Sequence, residues 1–250
     1  LIRVDLPTGR HQNIPIAGLC DVHEMQFING SLYIPNTGKD EVVIYHPDTD
    51  MVGRYPFFKK IKNNKRGISE EKYNDTFHLN HIFMGHDGYL YGLVHHVNGR
   101  QFYKKIAQRF LKTQGNGGCI RISDGHRISL NLYAPHSTYF IDNNYWILDS
   151  GRSLIKIYDI QWNIIQSIPT HSWGRGSSEI KNKRTDLLTV GLSNIRKKYL
   201  PIFPGEEIFI NGFQIFDVQK MESRSFINIE NIEQLNTVNF IHRKSLEKIL

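Results

Sequence analysis

Histidine recurs three times in this chain with a similar sequence behind it. His23 in "DVHE", His81 in "HLNH" and His136 in "APHS" are each followed by six residues and then a turn former, Gly30, Gly88 or Asn143. Imidazole is a ligand for Zn(II), Fe(II) and Cu(II), and three neutral rings brought to one point hold such an ion while leaving a coordination position open. Asp21 and Glu24 flank the first histidine, where a carboxylate can complete the ligand set, orient it or act as a general base. Arg175 in "SWGRGSSE" stands between glycines, which lets its guanidinium fork reach a carboxylate, phosphate or sulfate. His136, Glu24 and Arg175 are therefore the candidate catalytic residues, and Asp21, Ser137, Ser193 and Asn194 are candidates for binding a ligand. The structural alternative is that each histidine bonds a backbone carbonyl of its neighbour, repeated because the unit repeats. For Arg175 the alternative is an ion pair between units. His11, His46, His95, His96, His126, His171 and His242 have no such repeat context.

The elements that must position these residues are strands. After each histidine come a short apolar segment, a Gly/Asn turn and an aromatic-bearing strand: "SLYI", "YLYG" or "NYWI". Gly and Asn tolerate the positive φ that tight hairpins require. A further strand pair follows each hairpin: "EVVIYH" and "MVGRYPF", "CIRISD" and "RISLNL", "LIKIYDI" and "IIQSIPT". Four short antiparallel strands per unit, with faces that only a neighbouring unit can cover, describe a propeller blade. "DLLTVGLSNIR" and "GFQIFDV" belong to a fourth unit. "LIRVDL" at the start matches "LIKIYDI", the third strand of a blade, so the chain reads as cropped at its N-terminus. "LNTVNFIH" near the end can supply that blade's inner strand. The expected fold is an all-β propeller of about five four-stranded blades, a single domain over 1–250 closed by N- and C-terminal strands sharing a blade. Two insertions interrupt it, at 59–76 and at 98–118. In the second, Phe102, Ile106 and Phe110 have the spacing of a short amphipathic helix. Asp149, Ser150 and Gly151 in "LDSGR" read as turn chemistry.

The 250 residues carry a net charge of +7. That charge favours an anionic small molecule or glycan as partner. No helix-turn-helix, zinc-finger or RNP pattern accompanies it, so nucleic acid is not expected. No apolar run approaches the roughly 18 residues of a transmembrane helix. The two cysteines, Cys20 and Cys119, form no framework and read as buried apolar residues. They leave the compartment open, with the cytoplasm as the expectation, and the chain reads as a monomer.

The ordered series "DVHE", "HLN", "GG" before a strand, "PHS", "LDSGR", "GRG" and "VGLSNIR" spans roughly residues 20 to 200. It resembles a family of bacterial conserved-hypothetical proteins, domain of unknown function 4915 and its relatives. The resemblance implies a β-propeller and no assigned activity. It matches His78 and Asn80 to the family's second motif where repeat spacing selects His81. Both histidines therefore stay in the candidate metal set with His23 and His136, and Asn80 joins the ligand-binding set.

Other machinery is absent. "GNGG" precedes a strand rather than a helix, so it is no phosphate-binding loop, and there is no nucleophile elbow or calcium loop. The functional expectation is an enzyme acting on a small anionic or sugar-like substrate with a divalent metal, by lyase, hydrolase, isomerase or oxygenase chemistry. The alternative is a noncatalytic module that binds a glycan or a protein.

Overall fold

A computed structural model describes residues 1–5, 8–56, 75–99, 116–181, 186–194 and 211–230, together with Ile232 and Leu235. The first insertion lies outside the described residues except for Asp75 and Thr76. The second does so between Arg100 and Gly115, which includes the segment with helical spacing.

The described chain is built of strands. A ribbon of β1 (Ile2–Val4) and β2 (His11–Asn13) comes first. The first blade is β3 (Gln26–Ile28), β4 (Ser31–Asn36), β5 (Glu41–His46) and β6 (Met51–Pro56). The second is β7 (Leu79–Met84), β8 (Leu90–Val94), β9 (Gly117–Arg121) and β10 (Arg127–Leu132). The third is β11 (His136–Ile141), β12 (Asn144–Asp149), β13 (Leu154–Tyr158) and β14 (Ile164–Pro169). The fourth is β15 (Trp173–Lys181), β16 (Asp186–Ser193), β17 (Gly212–Asp217) and β18 (Glu222–Asn228). Each blade is an antiparallel meander in chain order. Its first strand lies innermost, with β7 packed against β3 and β11, and β11 against β15. Among the described residues no helix is long and apolar enough to cross a membrane.

Four complete blades and a two-stranded fifth sheet thus stand where about five were expected. The ribbon and the β13–β14 pair are each closed by a backbone bond from an aspartate. Asp5 N–H donates to Arg10 O at 2.8 Å, as Asp159 N–H does to Asn163 O at 2.9 Å. The strand expected to complete the fifth sheet lies outside the described residues except for Leu235. That residue is tied to the fourth blade, its N–H donating to Ser193 Oγ at 2.7 Å and its carbonyl accepting from the same hydroxyl at 2.8 Å.

The core is divided into radial seams, because a sheet buried on both faces needs a neighbour on each side. Ile28 and Val42 of the first blade meet Leu79, Ile82 and Val94 of the second. Phe83, Leu93 and Cys119 of the second meet Tyr145 and Ile147 of the third. Trp146, Ile155 and Ile157 meet Leu188, Val190 and Phe216 of the fourth, and Ile14 of the ribbon meets Ile34 and Val43. Truncating a large side chain in such a seam costs about 2–5 kcal/mol. Cys119 sits in one of them, as a small apolar residue, and burial pushes its thiol well above the ordinary range. β9 begins at Gly117, inside the segment expected as an insertion. A Cβ at Gly117 or Gly118 would run into the backbone of Leu132 or Ile128, so glycine is what lets β10 close on it.

Strand register corrects one repeat alignment. The hairpins Asn29–Gly30 and Asp142–Asn143 have two residues, all at positive φ, which suits the primed turns of tight hairpins. In the second blade Met84 pairs with Leu90, leaving a five-residue loop. Counting from the strands therefore aligns His23 and His136 with Leu79 rather than His81. His81 matches Met25 and Thr138.

Every inner strand carries one extra residue near its start. In the second blade it is Asn80, between Leu79 (opposite Val94) and His81 (opposite Leu93). In the third it is Ser137, and in the fourth Arg175 and Gly176 stand opposite Gly191. In the first, three residues around Glu24 face two, between the Val22–Asn36 bridge and the Gln26–Tyr33 pair. A bulge of this kind re-aims a side chain out of the ladder's alternation.

The corner between second and third strands is also repeated. In the first blade it is Asn36-Thr37-Gly38-Lys39-Asp40 and in the third Asp149-Ser150-Gly151-Arg152-Ser153, each a short 3-10 turn. The carboxamide of Asn36 accepts from Cys20 N–H at 2.5 Å, and Asp149 accepts from Tyr133 N–H at 2.6 Å. Thr37 donates to Leu79 O of the next blade, and Ser150 donates to Gly174 O at 2.6 Å. A side chain at Gly151 would overlap the Tyr133 ring. The "LDSGR" turn thus fastens one blade to the next.

Candidate functional site

The bulges and corners lie at one end of the blades, the mouth, where inner strands begin and second strands end. Four imidazoles meet there. Ring centroids are 5.0 Å apart for His23 and His78, 4.3 Å for His78 and His95, and 5.7 Å for His95 and His136. His23 and His136 lead their inner strands, His78 precedes β7, and His95 follows β8. Asp21, His23 and His78 each offer a ligand atom, and these atoms all lie within 4.8 Å of one another. Asp21 and His78 are held at φ 49° and 54°, and Ser137 at 39°, a left-handed backbone that side chains adopt at a cost and that clusters at functional sites.

The hydrogen bonds set the tautomers. His78 Nδ1 lies 2.9 Å from Asp75 Oδ1, an acceptor. Nδ1 therefore carries the proton and Nε2 is the basic nitrogen, the carboxylate–imidazole arrangement that supports metal ligands. His136 Nδ1 lies 2.9 Å from Ala134 O and 3.1 Å from Ser150 Oγ, whose own proton goes to Gly174 O. It too is protonated at Nδ1. His23 Nε2 is 3.5 Å from Asp21 Oδ1.

Burial makes charge costly here. It lowers His23 to about 4, aided by His78 and opposed by Asp21. It holds His136 well below the ordinary value, with Arg175 the next cause, and His95 likewise, with His78 next. These three rings are neutral near pH 7, the form that ligates metals. The charge of Arg175 contributes to the lowering of both His23 and His136.

His81, the alternative to His78 in the metal set, is placed elsewhere. It is buried, Nδ1 accepts Thr138 N–H at 3.1 Å, and Nε2 faces Gln26 Oε1 at 3.4 Å. With both nitrogens engaged the ring bridges three blades, and burial lowers it to about 3. Ser193 and Asn194 serve the fourth blade's corner. Ser193 holds Leu235, and Asn194 N–H donates to Asn211 Oδ1 at 2.9 Å. His95, set aside in the sequence for want of a repeat, stands in the middle of the cluster.

Below the imidazoles the bulge residues join around the axis. Glu24 N–H donates to Asn80 O at 3.2 Å, and the Asn80 amide donates to Pro135 O at 2.6 Å. Ser137 Oγ reaches both a Glu24 carboxylate oxygen and Arg175 O, the latter at 3.0 Å. One hydroxyl proton cannot serve two acceptors. With Glu24 ionised the hydroxyl donates to the carboxylate; with Glu24 protonated the carboxyl donates to Ser137, which then donates to Arg175 O. Burial raises Glu24 to about 7, while its bonds to Ser137 and Ser177 oppose the shift.

The sign of the linkage follows. A carboxyl bound more tightly to its proton when folded adds stability that is full below about 4.5 and is lost as pH rises through about 7. In chelator-treated protein, Glu24→Gln is therefore expected to gain up to about 3 kcal/mol over wild type between pH 4.5 and 8. Urea unfolding at both pH values checks this, and parallel pH profiles for the two proteins would contradict it.

No protein-family model matches the sequence, and no curated protein matches it. Among solved structures the chain is similar to a protein of unknown function from Bacteroides caccae, at 12% identity and TM-score 0.53 over 92% of this chain and 76% of that one. It is also similar to virginiamycin B lyase from Staphylococcus aureus, at 11% identity and TM-score 0.51 over 94% of this chain. The chain spans 65% of the lyase's length, just under two thirds. At such identities the likeness shows the fold alone: the chain is a β-propeller.

Proposed function

We propose that this propeller is an enzyme acting on a small anionic substrate at its mouth, with a divalent transition metal held by Asp21, His23 and His78. The observation that carries the reading is the convergence of imidazoles from separate blades beside a carboxylate. Two imidazoles and one carboxylate leave coordination positions open, as catalytic zinc and non-haem iron sites do. His136, with Nε2 basic, is a further candidate ligand or base. Arg175 supplies the fork for a carboxylate or phosphate. Glu24, titrating near neutrality, moves the proton, and Ser137 relays its hydrogen bond. Lyase, isomerase and hydrolase steps all use such a set. The family resemblance of the ordered motifs is part of this proposal.

Long-range charge supports an anion. The chain leaves the mouth side at Pro56, Gly99 and Asn194 and returns at Asp75, Asn116 and Asn211. The sequence between these points holds fourteen of the 31 basic residues and four of the 24 acidic ones, and a basic bias of this kind favours anionic partners. A sugar-stacking role has less support, because among the described residues the Phe, Tyr or Trp ring beside the cluster, Trp173, is buried.

Metal analysis of the full chain, purified without chelator, together with calorimetric titration by zinc, tests the reading. One equivalent is expected. No bound metal and no zinc uptake by protein whose fold is intact would remove it.

A further inference from the structure

We propose that His95 is the hydrogen-bond donor of this site, presenting Nδ1–H to an oxygen of the anionic ligand, with Asn80 as the positioning residue that fixes its tautomer. The proposal rests on the reading above for its ligand, but its geometry stands apart from any metal.

Asn80 is buried in the second blade's bulge. Its Nδ2 lies 2.6 Å from Pro135 O and 2.7 Å from His95 Nε2. A carbonyl oxygen only accepts, so the atom facing Pro135 is the amide nitrogen and not its oxygen. One amide proton goes to that carbonyl and the other to His95. His95 Nε2 must then bring a lone pair, which puts the ring's single proton on Nδ1. Asn80 Oδ1 stays buried without a partner among the described residues, so the placement of this amide serves its nitrogen.

His95 cannot turn away from this arrangement. Its backbone N–H donates to His78 O at 3.2 Å, and its ring packs between those of His78 and His136. Three of the four imidazoles therefore divide by chemistry. His78 and His136 donate through Nδ1 to fixed acceptors and keep Nε2 basic. His95 has its basic nitrogen occupied and its proton on the other one. A ring in that state does not ligate a cation. It matches an oxygen that accepts, and a preorganised donor beside a cation site is what orients an anion there.

The tautomer is read directly by long-range proton–nitrogen correlation spectra of the ¹⁵N-labelled full chain, without metal or ligand. A bare Nε2 and a protonated Nδ1 are expected for His95. In Asn80→Asp the assignment should reverse, since a carboxylate at that place demands a proton on Nε2. A wild-type His95 protonated at Nε2 overturns the proposal, whatever the variant does.

The donor role is read with inorganic phosphate as probe on the zinc-loaded chain. His95→Asn sets an amide N–H near the place of Nδ1 and is expected to keep phosphate affinity within about threefold. His95→Gln reaches the place of Nε2 instead and is expected to lose about tenfold or more. Both should retain zinc. Equal phosphate affinities, no phosphate binding by wild type, or zinc loss in His95→Asn each overturn the role. A wild type that takes up no zinc sinks the metal reading instead, and the tautomer spectrum still decides this one.

Discussion

His78→Asn is expected to lower zinc affinity by up to about a thousandfold while the metal-free protein unfolds within a few degrees of wild type. Asparagine is chosen for two reasons. It tolerates the left-handed backbone that position 78 adopts, and its amide can still donate to Asp75 in place of Nδ1. What disappears is Nε2. Structural zinc sites bind with about 10–16 kcal/mol spread over four ligands, so one ligand accounts for up to about 4 kcal/mol, or as much as three decades of affinity. Calorimetric titration of the two proteins gives the ratio. His81→Leu is the contrast, because leucine has no acceptor to replace Nδ1 as the partner of Thr138 N–H inside the ring. It should cost stability and leave zinc affinity within about threefold. If the two variants exchange these behaviours, the ion belongs deeper in the channel.

Asp149→Ala is expected to cost about 3–5 kcal/mol and to lower the melting temperature by about 10 °C. The carboxylate is wholly buried, with Arg152 Nη1 at 2.6 Å and Lys156 Nζ at 2.9 Å on one oxygen. Tyr133 N–H is on the other. Alanine removes the counter-charge that Asp149 supplies to two cations and the acceptor that it supplies to a buried donor. Asp149→Asn separates these effects, since Asn36 already fills the equivalent corner of the first blade. It keeps the acceptor for Tyr133 and loses only the charge, so roughly half the penalty should remain. Thermal unfolding of the three proteins tests both statements. A loss below about 1 kcal/mol in the alanine variant would mean that Asp149 does not hold the corner.

Strand order and hairpins were legible because alternation and turn chemistry are local: "LIKIYDI" and "IDNNYW" specify their own conformation. The pairing of His23 with His136 was legible too, and the same 113-residue offset links Glu24 to Ser137 and the "NTGKD" corner to "DSGRS". Comparing those corners would have identified the fastening of blade to blade. The second blade resisted because its hairpin is three residues longer than those of the first and third. Alignment from the turn then moved the match from Leu79 to His81. His95 carried no signal at all. It follows a second strand, and only the return of β8 to the mouth brings it between His78 and His136.

The surplus residue in each inner strand separates two jobs that a sheet normally couples. Along a regular ladder every side chain is assigned to one seam or the other, so changing it disturbs the packing of a neighbour. Glu24, Asn80, Ser137 and Arg175 occupy positions released from that assignment, and they behave as sockets around a hub. Their chemistry can be exchanged while the wedges that carry them stay as they are, which makes this level of the channel the natural place to redesign the protein for a different reaction.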